Sequence, residues 1–229
     1  MMRIASVLLI AVMMSTCAIS GTFAKYVTSD SATDTARVAK FGVVVDATSG
    51  MFKTEYNNVA GETFVGTTVS SSTLDNLVAP GTSGNMAEIS ITGTPEVAVR
   101  VTYEVTSIDL GDNWKDSNAE FYCPLKIKIT NSLGTTTLCG LDYDSVEDFE
   151  KAIKDSIAAY SKEYAPKTDL SSKQSENLDV SWEWSFVDTT PYISGTQTDE
   201  EDTYLGNIAA GGTVILFDLA IKTTVTQID

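Results

Sequence analysis

Val97-Ala98-Val99-Arg100-Val101-Thr102-Tyr103-Glu104-Val105 is the stretch that decides the fold. Val97, Val99, Val101, Tyr103 and Val105 fall on one face, and Ala98, Arg100, Thr102 and Glu104 fall on the other. This two-residue period belongs to a strand in an antiparallel sheet with one face on a core and one in water. Neighbouring segments repeat it. Ala87, Ile89 and Ile91 alternate with Glu88, Ser90 and Thr92, Leu125, Ile127 and Ile129 alternate with Lys126 and Lys128, and Val180, Trp182, Trp184 and Phe186 share a face opposite Ser181, Glu183 and Ser185. These aromatics read as core rather than as an exposed sugar platform.

Residues 38–45, 62–69, 135–138 and 213–226 read as further strands. In the last of these Ile215, Phe217, Leu219 and Ile221 form one face, while Val214, Leu216 and Ala220 leave the other partly apolar. Apolar residues on both faces are expected of a strand that is central or covered. Turn signals separate the segments: Pro80-Gly81 suits the centre of a type II turn within Val78-Ala79-Pro80-Gly81-Thr82-Ser83-Gly84, Gly93-Thr94-Pro95 reverses the chain again, and residues 131–134 close a hairpin.

One helix is expected over residues 145–164, where Val146, Phe149, Ile153, Ile157, Tyr160 and Tyr164 recur at three- and four-residue steps. Ser145 can cap its start, with Asp148 three residues on, and Pro166 blocks any extension beyond its end. A stripe of this kind covers an open part of a core. Residues 167–177 read as a polar connector and Asp199-Glu200-Glu201-Asp202 as an acidic loop. Eight or more short strands with one late helix give a mainly β fold, an antiparallel jelly-roll-like β-sandwich with one amphipathic helix. No internal repeat emerges.

The first residues set the compartment. Arg3 is the only charge before Lys25, residues 4–19 are almost wholly apolar, and Ser20, Gly21, Thr22 and Ala24 are small. This is the pattern of a secretory signal cleaved between Ala24 and Lys25. Two alternatives stand beside it: an uncleaved membrane anchor, for which the run is short and broken by Ser6, Ser15 and Thr16, and lipidation at Cys17. The expected organisation is a signal at 1–24, an N-terminal arm at 25–37 and one β-sandwich domain at 38–229 with a helical insertion near 145–164, as 229 residues allow. Residues 25–36 are polar and lack a sustained hydrophobic period, as in a weakly structured tail.

The chain carries 15 basic and 31 acidic residues, a formal charge of −16. So acidic a surface repels nucleic acid and anionic membranes, and neither is expected as a partner after cleavage. There is no histidine, so the chain cannot build an H-E-x-x-H zinc site, a Ser-His-Asp triad or a Cys-His dyad. No phosphate-binding glycine loop or Cys-x-x-Cys pair occurs, and no two carboxylates are singled out for glycoside hydrolysis. Asp142 with Asp144, and residues 199–202, could offer oxygen ligands to calcium, but neither has EF-hand spacing, and clustered carboxylates in an acidic chain read as solvated surface. The chain is therefore expected to be no enzyme and to carry neither metal nor cofactor. Once Cys17 leaves with the signal, Cys123 and Cys139 remain, and an even number of thiols in an exported chain suggests a disulfide. The 131–134 hairpin brings them near each other but not opposite, so a bridge requires an irregular strand end. Two separate buried thiols are the alternative.

Ser20-Gly21-Thr22-Phe23-Ala24-Lys25-Tyr26, with Ala36-Arg37-Val38-Ala39-Lys40-Phe41 after it, resembles the start of TasA/camelysin-type exported proteins, whose signals are processed by a SipW-type signal peptidase. Residues 78–84 and the ending Ile221-Lys222-Thr223-Thr224-Val225-Thr226-Gln227 are similar to segments of the same group, so the resemblance touches both ends and one internal turn. The resemblance implies a jelly-roll subunit of a fibre in a bacterial biofilm matrix, secreted or at the cell surface, in which an N-terminal strand of one copy completes the sheet of the next. Lys25, Tyr26, Val27, Thr28, Ala32 and Ala36 would then belong to the donor arm, and the partners would be other copies, other matrix proteins and, during export, the signal peptidase. The metalloprotease label of the camelysin branch is not carried over, because histidine is missing. The alternative function is a monomeric secreted β-sandwich adhesin for carbohydrate or a host protein.

Cleavage between Ala24 and Lys25 is checked by N-terminal sequencing of the secreted chain, which is expected to begin Lys-Tyr-Val-Thr; a lipid-bearing start at Cys17 would contradict it.

Overall fold

A computed structural model of the chain describes residues 38–48, 52, 55–57, 67–70, 77–173, 176–185 and 195–228. The chain divides between Val38 and Ala39 into two units, and the second holds all but one of the described residues. In chain order the strands are β1 (Val43–Thr48), β2 (Glu55–Asn57), β3 (Thr67–Ser70), β4 (Thr82–Gly93), β5 (Val99–Asp109), β6 (Leu125–Asn131), β7 (Gly134–Cys139), β8 (Lys162–Tyr164), β9 (Leu178–Trp184) and β10 (Asp218–Gln227). The helices are α1 (Val146–Ala159) and α2 (Gly195–Ala210). None of the described helices is long and apolar enough to cross a membrane.

The fold is mainly β, a sandwich of antiparallel sheets. One has five strands in the order β1-β4-β9-β6-β7, the other three in the order β10-β5-β8, and β2 pairs with β3 apart from both. The alternation in 97–105 forms β5, at the centre of the smaller sheet: Val99 and Val101 are wholly buried and Tyr103 nearly so, with Arg100 and Glu104 in water. Facing them from the larger sheet are Ile89, Ile91, Leu125, Ile127, Ile129, Val180 and Trp182, all in one core.

The turns form as their residues dictate. Ala79 O accepts Thr82 N at 3.2 Å, with Gly81 at φ 75°, the positive angle a type II turn needs at its third residue. In the β6–β7 hairpin Asn131 pairs with Gly134 around Ser132-Leu133, and Asn131 Oδ1 accepts Leu133 N at 2.7 Å.

The helix α1 begins where expected, with Ser145 Oγ accepting Asp148 N at 3.1 Å. Phe149, Ile153 and Ile157 point inward and are fully buried, each contributing about 2 kcal/mol of apolar transfer. Its position is informative. β8 pairs only with Val99–Val101 of β5, and beyond that the helix takes over the margin: Ser161 Oγ accepts Tyr103 N at 3.3 Å, and Glu150 Oε1 accepts Leu110 N at 3.2 Å. Side chains of the helical segment thus satisfy backbone donors that a neighbouring strand would otherwise take.

Four expectations are corrected. The helix does not run to residue 164, because Tyr160 is anchored through its hydroxyl to Ile129 O and Thr136 Oγ1, both at 2.9 Å, and residues 162–164 then leave as β8. Tyr160 and Tyr164 stay buried, since a four-residue spacing suits a helix face and a strand face alike. The acidic residues 199–202 are helical, within α2, so the described residues hold two α-helices rather than one. β1 starts at Val43 rather than at residue 38 and runs through Asp46. Finally, 213–226 gives a strand only from Asp218, and among the described residues it pairs with β5 alone; it is an edge, not a central strand. Of the strand expected at 62–69, residues 67–69 form part of β3, and 62–66 lie outside the described residues.

Across the core, a polar clasp joins the two sheets. Glu176 is 5% exposed, and its carboxylate accepts from Lys162 Nζ at 2.8 Å, Ser132 Oγ at 2.7 Å and Tyr164 OH at 2.8 Å. Burial opposes the charge, but the bonds from Lys162, Ser132 and Tyr164 outweigh it and hold the carboxyl below the usual carboxylate range. A carboxylate with a depressed pKa adds stability above its unfolded value and loses it as pH falls through the folded one. Glu176→Gln is therefore expected to cost about 2 kcal/mol at pH 7, measured by urea unfolding, and the gap to the parent protein should close as pH drops below about 4.

Candidate functional site

The two margins of the sandwich are built differently. On the β7–β8 margin α1 closes the gap, and the residues it covers are sealed. On the opposite margin, where β1 and β10 end their sheets, the core-facing rows are only half-covered. Leu219, Ile221, Thr223 and Val225 of β10, with Phe217 just before it, are half-buried, as are Val43 and Val45 of β1. Their immediate neighbours Val99 and Val101 in β5, and Ile89 and Ile91 in β4, are at 0–1% exposure. Burial falls from complete to partial in one strand's step on both sheets.

Between these rows lies a cavity of about 760 Å³. β1 contributes Ala47, β4 contributes Met86 and Ile89, and the β10 side contributes Phe217, Leu219 and Ile221. Phe52 reaches into the same region, its ring 5.9 Å from Trp182 and 6.3 Å from Phe217. The Thr223 hydroxyl is buried and has no hydrogen-bond partner among the described residues.

One end of the cavity is closed by α2, which supplies Asp202 and Leu205. Asp202 is 6% exposed, and its two oxygens accept from Tyr122 OH at 2.8 Å and Trp184 Nε1 at 3.0 Å. Glu201, one residue earlier, accepts Ser117 N at 2.6 Å and Ser117 Oγ at 2.7 Å. The chain between α2 and β10 is held as well: Trp114 Nε1 donates to Leu216 O at 2.8 Å, and Asn113 Nδ2 to Val214 O at 2.7 Å. Held there by their backbone, Val214 and Leu216 remain 70% and 40% exposed, and Val44 on β1 is 62% exposed. The site is an apolar slot between two sheet edges, with fixed walls.

The carboxylates that could have served calcium are placed otherwise. Asp202 and Glu201 fasten α2 to the body, and Asp142 and Asp144 sit exposed ahead of α1. Among the described residues no group of three or more acidic, Cys or His side chains converges on a point that could hold a metal. Trp182 and Trp184 are buried, as expected of core aromatics.

The expected Cys123–Cys139 bridge is not present; both residues are buried thiols. Cys139 pairs with Lys126, three residues past Cys123, and Cys123 packs instead over Gly140, where an added Cβ would lie 2.3 Å from Cys123 O. Burial pushes the Cys123 thiol well up, so the thiolate needed for disulfide chemistry is disfavoured. The cleavage pair Ala24 and Lys25 and the arm residues Tyr26, Val27, Thr28, Ala32 and Ala36 lie outside the described residues.

Sequence reading missed Trp114, Asp202 and Leu205 as parts of this wall. Among the described side chains of α2 the buried ones are Thr198, Asp202 and Leu205, two polar residues in three, so no apolar stripe marked a helix. Comparison of this chain with protein families, with characterised proteins and with solved structures finds no match.

Proposed function

We propose that this chain is a structural subunit of an extracellular fibre, in which the N-terminal arm of one copy lies in the β1–β10 slot of the next. One observation carries the reading. The segment running into β10 is apolar on both faces, as a covered strand is, yet β10 sits at a sheet edge with its core-facing row half-buried. An additional strand along β10 would cover that row and occupy its main-chain donors and acceptors, which is the strand-addition mode of recognition.

The arm has the properties required of such a strand. Residues 25–41 contain neither proline nor glycine, so every backbone N–H in the arm can donate and no residue offers an easy reversal. At its base, Lys40 N donates to Glu96 Oε2 at 2.7 Å and Glu96 N donates to Lys40 O at 3.1 Å. These bonds extend the line of β1 past Gly93, away from the part of β1 that lines the slot. Insertion into another copy then needs no turn that the sequence lacks. The contact is head-to-tail and does not close on itself, so repetition gives a filament. The likeness of both chain ends to TasA/camelysin-type proteins supports the same reading, with the fibre in a bacterial matrix outside the cell. An adhesin is less well supported, because Trp182 and Trp184, the best candidates for a carbohydrate platform, are in the core.

Electron microscopy and sedimentation of the chain beginning at Lys25, beside one beginning at Arg37, test the reading. The longer chain is expected to form filaments. The shorter one is expected to stay monomeric with a nearly unchanged thermal transition, and Val27→Pro with Ala32→Pro should behave like the deletion because each proline removes a donor. Filaments formed equally well without residues 25–36 would contradict it.

A further inference from the structure

Which face of the arm enters the slot is set by its charge pattern. In an extended strand alternate residues share a face. Over residues 25–36 the odd row is Lys25, Val27, Ser29, Ser31, Thr33 and Thr35, with its one charge at the free end, and the even row is Tyr26, Thr28, Asp30, Ala32, Asp34 and Ala36. Only the even row carries carboxylates. Placing Asp30 and Asp34 against Leu219, Ile221 and Phe217 would remove two charges from water with no cation opposite them, at several kcal/mol per ion. Burying a hydroxyl costs far less, and a Ser or Thr hydroxyl can also bond to nearby backbone.

The chemistry of β10 suits the uncharged part of the odd row. Along β10 the half-buried positions Phe217, Leu219, Ile221, Thr223 and Val225 follow at two-residue steps, the first three lining the cavity, and Val27, Ser29, Ser31, Thr33 and Thr35 follow at the same step. The buried Thr223 hydroxyl without a partner among the described residues would face a stretch in which four of these five side chains end in a hydroxyl. The slot is already lined by large side chains, among them Met86, Phe52 and Trp114, so a strand with short side chains can approach β10 closely enough for main-chain pairing.

We infer that the β1–β10 slot receives the row Val27, Ser29, Ser31, Thr33 and Thr35 of a second copy of this chain, with Asp30 and Asp34 turned to solvent. This rests on the fibre reading above and specifies its interface. It makes alternation along the arm, rather than its overall composition, the determinant of assembly.

The test places the same charge on either row of the chain that begins at Lys25. Ser29→Asp, Ser31→Asp and Thr33→Asp are each expected to raise the concentration needed for filaments at least about tenfold. Thr28→Asp and Ala32→Asp, which change net charge equally, are expected to leave it within about twofold. Asp30→Ser with Asp34→Ser should assemble as well as the parent or better. The thermal transition of the unassembled protein checks that every variant is folded. If the even-row substitutions block assembly and the odd-row ones do not, or if the two rows respond alike, the face assignment is wrong while arm insertion still stands. Assembly by the chain beginning at Arg37 would instead remove arm insertion itself.

Discussion

Two sheets packed face to face leave a seam at each margin, and every apolar row beside a seam must be covered by something. The rest of this structure depends on how the two seams are closed. At the β7–β8 margin the chain provides its own cover: α1 lays Phe149, Ile153 and Ile157 into the seam and lends Glu150, with Ser161 just beyond it, to backbone donors along β5. At the β1–β10 margin the described residues provide walls and one closed end, but no strand over the row from Phe217 to Val225. Burial of those side chains would be favourable whichever chain supplied a cover.

Polar groups at both margins reinforce this asymmetry. Glu176, Lys162, Tyr164 and Ser132 form a satisfied cluster that ties β8 to the β6–β7 turn, so the closed margin is locked by charge as well as by packing. At the other margin Asp202 and Glu201 hold α2 through neutral donors, and Trp114 fixes the approach to β10. These bonds keep the slot open in shape. A preformed slot lowers the ordering cost of whatever strand enters it.

The larger part of the fold was legible in the sequence, because alternation over residues 87–91, 97–105, 125–129 and 180–184 is a direct consequence of one-sided burial. Ser145 as a cap and Pro80-Gly81 as a turn were legible for the same local reasons. The failures have physical causes too. The end of α1 was hidden because Tyr160 and Tyr164 satisfy both periods, and α2 was hidden because it buries Asp202 and Thr198 instead of an apolar stripe. The apolar residues on both faces of 213–226 fit a central or a covered strand alike, so composition could not place β10 at an edge. The disulfide was misjudged because hairpin register, which sets Cys139 opposite Lys126, outweighs the pairing suggested by an even number of cysteines.

Hydrogen exchange of the chain beginning at Lys25, compared between its monomeric and assembled forms, tests most directly whether a strand from another copy covers β10. Assembly is expected to slow exchange over residues 25–36 and over Asp218–Gln227, leaving β7 and α1 unchanged. New protection at β7 or α1, with none along β10, would contradict it.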